Sequence, residues 1–208
     1  MFETHQLLLF IAAGLLLNIT PGPDLLYIIA RSLSQGREAG VVSALGIAAG
    51  CIVHSCAAAF GISVLLQASP AAYDALRLAG AAYLIYLGVK TLRSPATAQA
   101  VQRLQETPLR RIFWQGFVTN VLNPKVALFF LAFLPQFANP ARGAVALQIL
   151  VLGAIFIFNG FWVCWLVAQG AAAAGGWVSR SGFSQWMNRV SGGVLLGLGL
   201  NLALRRAQ

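Results

Sequence analysis

Charged residues are scarce in this chain and acids are the scarcest: 9% of its 208 residues are charged, and only five are Asp or Glu. A soluble domain carries about 25% charged residues, so most of this sequence is not built to face water. There are only two histidines. The three cysteines, Cys51, Cys56 and Cys164, have neither CxxC spacing nor a His pair at ligand intervals. That pattern excludes zinc-finger and dithiol chemistry, and free Cys in apolar runs reads as a small packing residue. A nucleophile–base pair for an intramembrane hydrolase is also missing. The expectation is a protein that is not an enzyme, with no cofactor and no resident metal. The formal charge of +9 has no soluble basic domain to carry it, so nucleic acid is not the expected partner. Topogenic charge in cytoplasmic loops accounts for it. No Lys or Arg precedes the first apolar run, and no obvious cleavage site interrupts it before Arg31, so it is not read as a signal peptide.

Hydrophobic residues make up 59% of the chain, with a mean hydropathy of +0.77. A spanning helix needs about 20 mainly apolar residues. Spans are expected near 6–29, 41–66, 71–90, 113–137, 145–168 and 186–204. Asp74 and Arg77, at the start of the third, are placed near the interface and pair across one turn. The sixth contains Ser191-Gly192-Gly193-Val194-Leu195-Leu196-Gly197-Leu198-Gly199. With Gly46 and Gly50 of the second, these glycines allow close helix contacts, read as internal packing rather than as dimer faces. Nine basic residues, Arg31, Arg37, Lys90, Arg93, Arg103, Arg110, Arg111, Arg180 and Arg189, fall on one side of this topology. Arg142, Arg205 and Arg206 fall on the other. The positive-inside rule puts the nine in the cytoplasm and both termini in the periplasm.

Two polar interruptions carry the functional signal. Asn18-Ile19-Thr20-Pro21-Gly22-Pro23-Asp24 and Asn120-Val121-Leu122-Asn123-Pro124-Lys125 break the first and fourth spans. Broken helices in lipid survive only where protein or a wet cavity surrounds the exposed backbone. One in each half of a chain points to a transporter's binding site. Gly14 precedes Asn18 by four residues, as Gly116 precedes Asn120. Three spans per half then make an inverted repeat. The fold class is all-α: a polytopic membrane protein of six helices in two inverted three-helix repeats, helices 1 and 4 broken near mid-membrane. Residues 1–208 form one transporter domain, with repeat 1 at about 1–92, a cytoplasmic connection at about 93–112 and repeat 2 at about 113–208.

At the first break, Thr20 is expected to cap a half-helix starting at Pro21. Gly22 admits close backbone approach, and Pro23 follows. Asp24 lies in the first turn, where the positive helix end favours a carboxylate. Asp24 either stabilises that helix start or, because a charge at membrane depth costs about 2.5–3.5 kcal/mol or more, serves as a proton or substrate-ammonium site. At the second break Asn123 caps a half-helix from Pro124. Lys125 then adds a cation to an already positive helix end. Three destinations are open to its ammonium: an ion pair with Asp24, the carboxylate of a bound substrate, or an interface reached by snorkelling. His54, mid-span and one turn from Cys51, is either a buried neutral imidazole or a member of a proton relay. Packing or interfacial anchoring is the default for Asn159, Trp162, Trp165, Tyr83 and Tyr86.

The chain resembles the LysE superfamily of amino-acid exporters, specifically its RhtB branch. The resemblance is carried by the Asn18–Asp24 and Gly116–Lys125 stretches, with Gly80–Gly88, Phe129–Phe137 and Asn188–Gly193. It implies proton-driven efflux of a small amino acid or derivative across the bacterial inner membrane. A homodimer is carried as one expected assembly. Lys125 and the Phe-rich run after it resemble the branch exporting threonine, homoserine, homoserine lactone or leucine. A fixed cation also repels a cationic substrate such as lysine. The binding set expected from the two breaks is Asn18, Thr20, Pro21, Gly22, Pro23, Asp24, Asn120, Asn123, Pro124 and Lys125, with His54. A divalent-metal exporter would need soft or carboxylate ligands clustered at the breaks, and a thiol-redox carrier a Cys at each; only Asp24 is there.

Overall fold

The computed structural model describes residues 2–93, 104–174 and 181–204. Seven α-helices account for most of them: α1 (Thr4–Ile19), α2 (Pro23–Ala68), α3 (Pro70–Arg93), α4 (Leu109–Val121), α5 (Pro124–Leu128), α6 (Val145–Ala174) and α7 (Ser181–Leu204). Strands are absent among the described residues. Part of the long connection, 94–103, and with it Arg103, lies outside the described residues, as do Arg180, Arg205 and Arg206. Among the described residues, by length and composition, three helices can cross a membrane, within α2, α3 and α6, or four if α4 and the helical run Pro124–Phe137, bent by 50°, count as one span. At 16 residues α1 is about 24 Å long, short of the roughly 30 Å hydrocarbon core. Leu8, Phe60, Phe158 and Leu166 are each more than 60% exposed, as side chains that face lipid can be.

Helix α2 is the main departure from the sequence expectation, which put a loop between residues 29 and 41. As a straight rod its 46 residues would reach about 70 Å. It is instead two helices joined at Gly36, whose φ of 82° and ψ of −171° belong to backbone that glycine alone adopts freely. Leu25 and Ile28 before the turn share a buried cluster with Ala44 and Ile47 after it, so the arms 23–35 and 37–68 fold back side by side.

Close helix contacts come from glycine. A Cβ on Gly46 would lie 2.2 Å from the Phe113 carbonyl oxygen, and one on Gly50 would lie 2.7 Å from Asn120 Oδ1, so α2 meets α4 with no room for a larger side chain. Gly88, Gly192 and Gly199 join α3 to α7 in the same way. Gly46 and Gly50 are therefore internal packing, as read, but the other GxxxG pair is not: a Cβ on Gly193 or Gly197 would meet nothing within 4 Å among the described residues. Asp74 and Arg77 form the expected i,i+3 pair at 3.2 Å.

Candidate functional site

Proline determines the geometry of both breaks because it lacks the N–H that would bond four residues back. Pro21 deprives the Leu17 carbonyl of its helical donor, and Pro124 does the same to Asn120. Each vacancy is filled twice. At the first break Thr20 N–H donates to Leu17 O at 3.2 Å, and the Lys125 ammonium donates to Leu17 O at 3.2 Å and Thr20 O at 2.9 Å. At the second, Asn123 N–H donates to Asn120 O at 2.9 Å, and His54 Nε2 does so at 3.0 Å. A carbonyl only accepts, so Nε2 of His54 carries the proton.

Three sequence expectations change here. Thr20 does not cap the following helix. It closes α1, its hydroxyl donating back to Leu16 O at 2.7 Å, and α2 starts at Pro23 rather than Pro21. Lys125 does not snorkel, since it is only 7% exposed. Nor does it pair with Asp24: the ion pairs among the described residues are Asp74–Arg77 and Glu3–Arg142. Its backbone sits at the positive end of α5 while its ammonium rests on the negative end of α1, where a cation is favoured. Gly22 permits this, because a Cβ there would lie 3.2 Å from Nζ. Asn123 does cap α5, accepting from Lys125 N–H at 3.1 Å, and Asp24 does stand in the first turn of α2.

Asn120 joins the two breaks, its Nδ2 donating to Asp24 Oδ2 at 2.8 Å. Four buried polar atoms at the breaks have no partner: Asp24 Oδ1, Asn18 Nδ2, Asn120 Oδ1 and Asn123 Nδ2. Left dry, each such group costs about 1–3 kcal/mol, so the arrangement calls for water or a polar ligand. A cavity of about 30 Å³ adjoins them, lined by Asn18, Asp24, Asn120 and Lys125 and, on its apolar side, by Leu25, Ile47, Phe156 and Phe161. That is room for about two waters. A larger ligand must part its walls.

Asn123, Thr20, Pro21, Pro23, Pro124, Gly22 and His54 shape the breaks without lining the cavity. His54 stands behind Asn120, its ring near-parallel to Phe130 at 6.0 Å. Cys51 and Cys164 do line the cavity, which the sequence reading missed. The available signal was Cys51 lying one turn before His54 and Cys164 lying one turn after Gly160. Among the described residues no group of three His, Cys, Asp or Glu could hold a metal ion. Asn159 is half-buried and away from the cavity wall, while Trp162 and Tyr86 are 46% and 58% exposed.

A largely apolar, all-helical chain with a charged cavity between two interrupted helices is a membrane translocator in form. Comparison with known families agrees: the profile described as LysE type translocator matches residues 15–206, and the chain belongs to that family. It is 30% identical over 96% of its length to an uncharacterized membrane protein, YrhP, of Bacillus subtilis (strain 168), covering 99% of that protein. It is also 30% identical to a homoserine/homoserine lactone efflux protein of Salmonella typhimurium, with 95% of each chain covered. With a leucine efflux protein of Salmonella choleraesuis it shares 25% identity, over 78% of this chain and 77% of the other. No solved structure matches at a significant level.

Proposed function

We propose that this chain exports a small neutral amino acid or derivative, of the threonine, homoserine or homoserine lactone type, across the bacterial inner membrane in exchange for protons. The carrying observation is that Asp24 and Lys125 line one cavity without forming an ion pair. A substrate ammonium can take the unpartnered Oδ1 of Asp24, and a substrate carboxylate can draw the Lys125 ammonium off its two carbonyls. Asp24 then binds either a proton or an ammonium, but not both, and that exclusion couples the two fluxes. A cationic side chain meets a fixed cation at Lys125 and is disfavoured. The apolar wall of Leu25, Ile47, Phe156 and Phe161 favours a second reading, in which leucine, named for one relative, is the substrate.

Alternating access follows from six spans in two inverted repeats, with both termini periplasmic. Two reciprocal contacts support the repeat: Asn18 abuts Gly160 of the second half, and Asn120 abuts Gly50 of the first. The homoserine/homoserine lactone relative supports placing this chain in the RhtB branch. A homodimer is the proposed assembly.

Inside-out membrane vesicles with an acidic lumen test the coupling. The wild-type protein is expected to accumulate threonine or homoserine, and Asp24→Asn is expected to abolish pH-driven uptake while remaining folded. Normal proton-coupled uptake by that variant would remove Asp24 from the mechanism.

A further inference from the structure

Seven residues beyond Asp24, on the same arm of α2, stands Arg31. Two turns of helix separate them, about 10 Å along the axis. Arg31 is only 5% exposed, and every partner it has is neutral. Its guanidinium donates to Gln35 Oε1 at 2.9 Å, to the Gln105 carbonyl at 3.1 Å and to Gln115 Oε1 at 2.7 Å. It also lies over the Tyr27 ring at 5.6 Å. Its Nε has no partner, nor does the buried hydroxyl of neighbouring Ser32. Taking a charge out of water costs several kcal/mol unless an opposite charge compensates. Among the described residues no carboxylate lies within ion-pair distance of this one.

One of these acceptors, Gln35, with Ser34 beside it, also holds down a strap. Residues 104–107 are the first described after the connection between the halves, and they are pinned to the end of the arm. Leu104 N–H donates to Ser34 Oγ at 2.8 Å. Thr107 N–H donates to Gln35 Oε1 at 3.0 Å, and Gln35 Nε2 returns a bond to Thr107 O at 2.9 Å. In sequence the buried Leu25 and Ile28 fall between Asp24 and Arg31, and Leu25 itself lines the cavity. Arg31 is thus a second polar station on the arm that carries Asp24.

We propose that Arg31 is a second substrate site, which takes the carboxylate of the amino acid on the strap side before Lys125 receives it in the cavity. A guanidinium binds a carboxylate more strongly than a neutral amide, because the fork makes two charge-assisted bonds. An arriving carboxylate therefore displaces Gln35 and the Gln105 carbonyl, and the strap comes away with them. This inference rests on the exporter reading above.

Two measurements on the full-length chain test it. In vesicle uptake, Arg31→Gln is expected to raise the KM for threonine by about tenfold or more, the size of one charge-assisted hydrogen bond. The KM for homoserine lactone, which has no carboxylate, stays within about twofold, and Arg31→Lys, which keeps the charge without the fork, falls between. Equal shifts for the two substrates would overturn the proposal and leave Arg31 as a fastener of the strap. The second measurement holds even if Arg31→Gln does not fold. A spin label at Glu106→Cys, with the native cysteines replaced, is expected to gain mobility on adding threonine and not on adding lactone. An unchanged spectrum, or the same change with both, overturns it. Wild-type protein that moves neither substrate would instead overturn the exporter reading itself.

Discussion

Lys125 joins a local rule to a long-range one. Beside Pro124 in the first turn of a helix, its charge has the wrong sign. The structure resolves the conflict 108 residues away in sequence, at the Leu17 carbonyl. Removing the amine leaves the Thr20 carbonyl without a donor, at about 1–3 kcal/mol when buried, and the Leu17 carbonyl with Thr20 N–H alone. It also removes the partner proposed for a substrate carboxylate. Lys125→Ala is therefore expected to lower Tm and to raise the half-saturation concentration for threonine more than for homoserine lactone. Equal effects on the two substrates would reduce Lys125 to a cap. Gly22→Ala is the milder counterpart, since a Cβ would lie 3.2 Å from Nζ and press on the amine without deleting it. The same preference for threonine over lactone should appear in its KM values, at smaller amplitude.

At the scale of elements, the breaks were legible because proline's missing N–H is a property of the residue itself. Pro21 and Pro124 mark where backbone bonding must fail wherever the chain goes next. The start of the following helix was less legible: Thr20 and Pro21 have the right chemistry for a cap and a first position, but Pro23 also fits. The hydroxyl of Thr20 found a nearer acceptor in Leu16 O. The reversal between residues 29 and 41 was expected, but its sharpness was not, because Ser34-Gln35-Gly36-Arg37-Glu38 reads as an ordinary polar loop rather than a one-residue turn between two helices. A substitution checks that reading. Gly36→Ala meets nothing within 4 Å, so its cost is purely the backbone's, about 1–3 kcal/mol for holding a Cβ in that region. Its Tm should fall, whereas Gly170→Ala, also without a neighbour within 4 Å but inside α6, should leave Tm level or raise it slightly. Equal behaviour of the two variants would mean that the hairpin does not depend on glycine there.

Across the whole molecule, each half completes the other. Lys125 from the second half caps the first break, and His54 from the first half caps the second. Asn120 reaches across to Asp24. None of this pairing is visible in local sequence, because the partners are set by which helices the glycines allow to meet. With the cavity holding only about two waters, the alternating access proposed above would have these cross-half contacts yield in turn, first on one side and then on the other. Cys164 reports on that directly, being a buried native thiol on the cavity wall. With Cys51 and Cys56 replaced by Ala, a small membrane-permeant thiol reagent should label Cys164 slowly, and saturating threonine should slow it further by occupying the cavity. A membrane-impermeant reagent should then label it from one face of the membrane at a time, with an imposed proton gradient shifting which face gives access. Labelling at the same rate with and without threonine would mean that the substrate does not sit between the two broken helices.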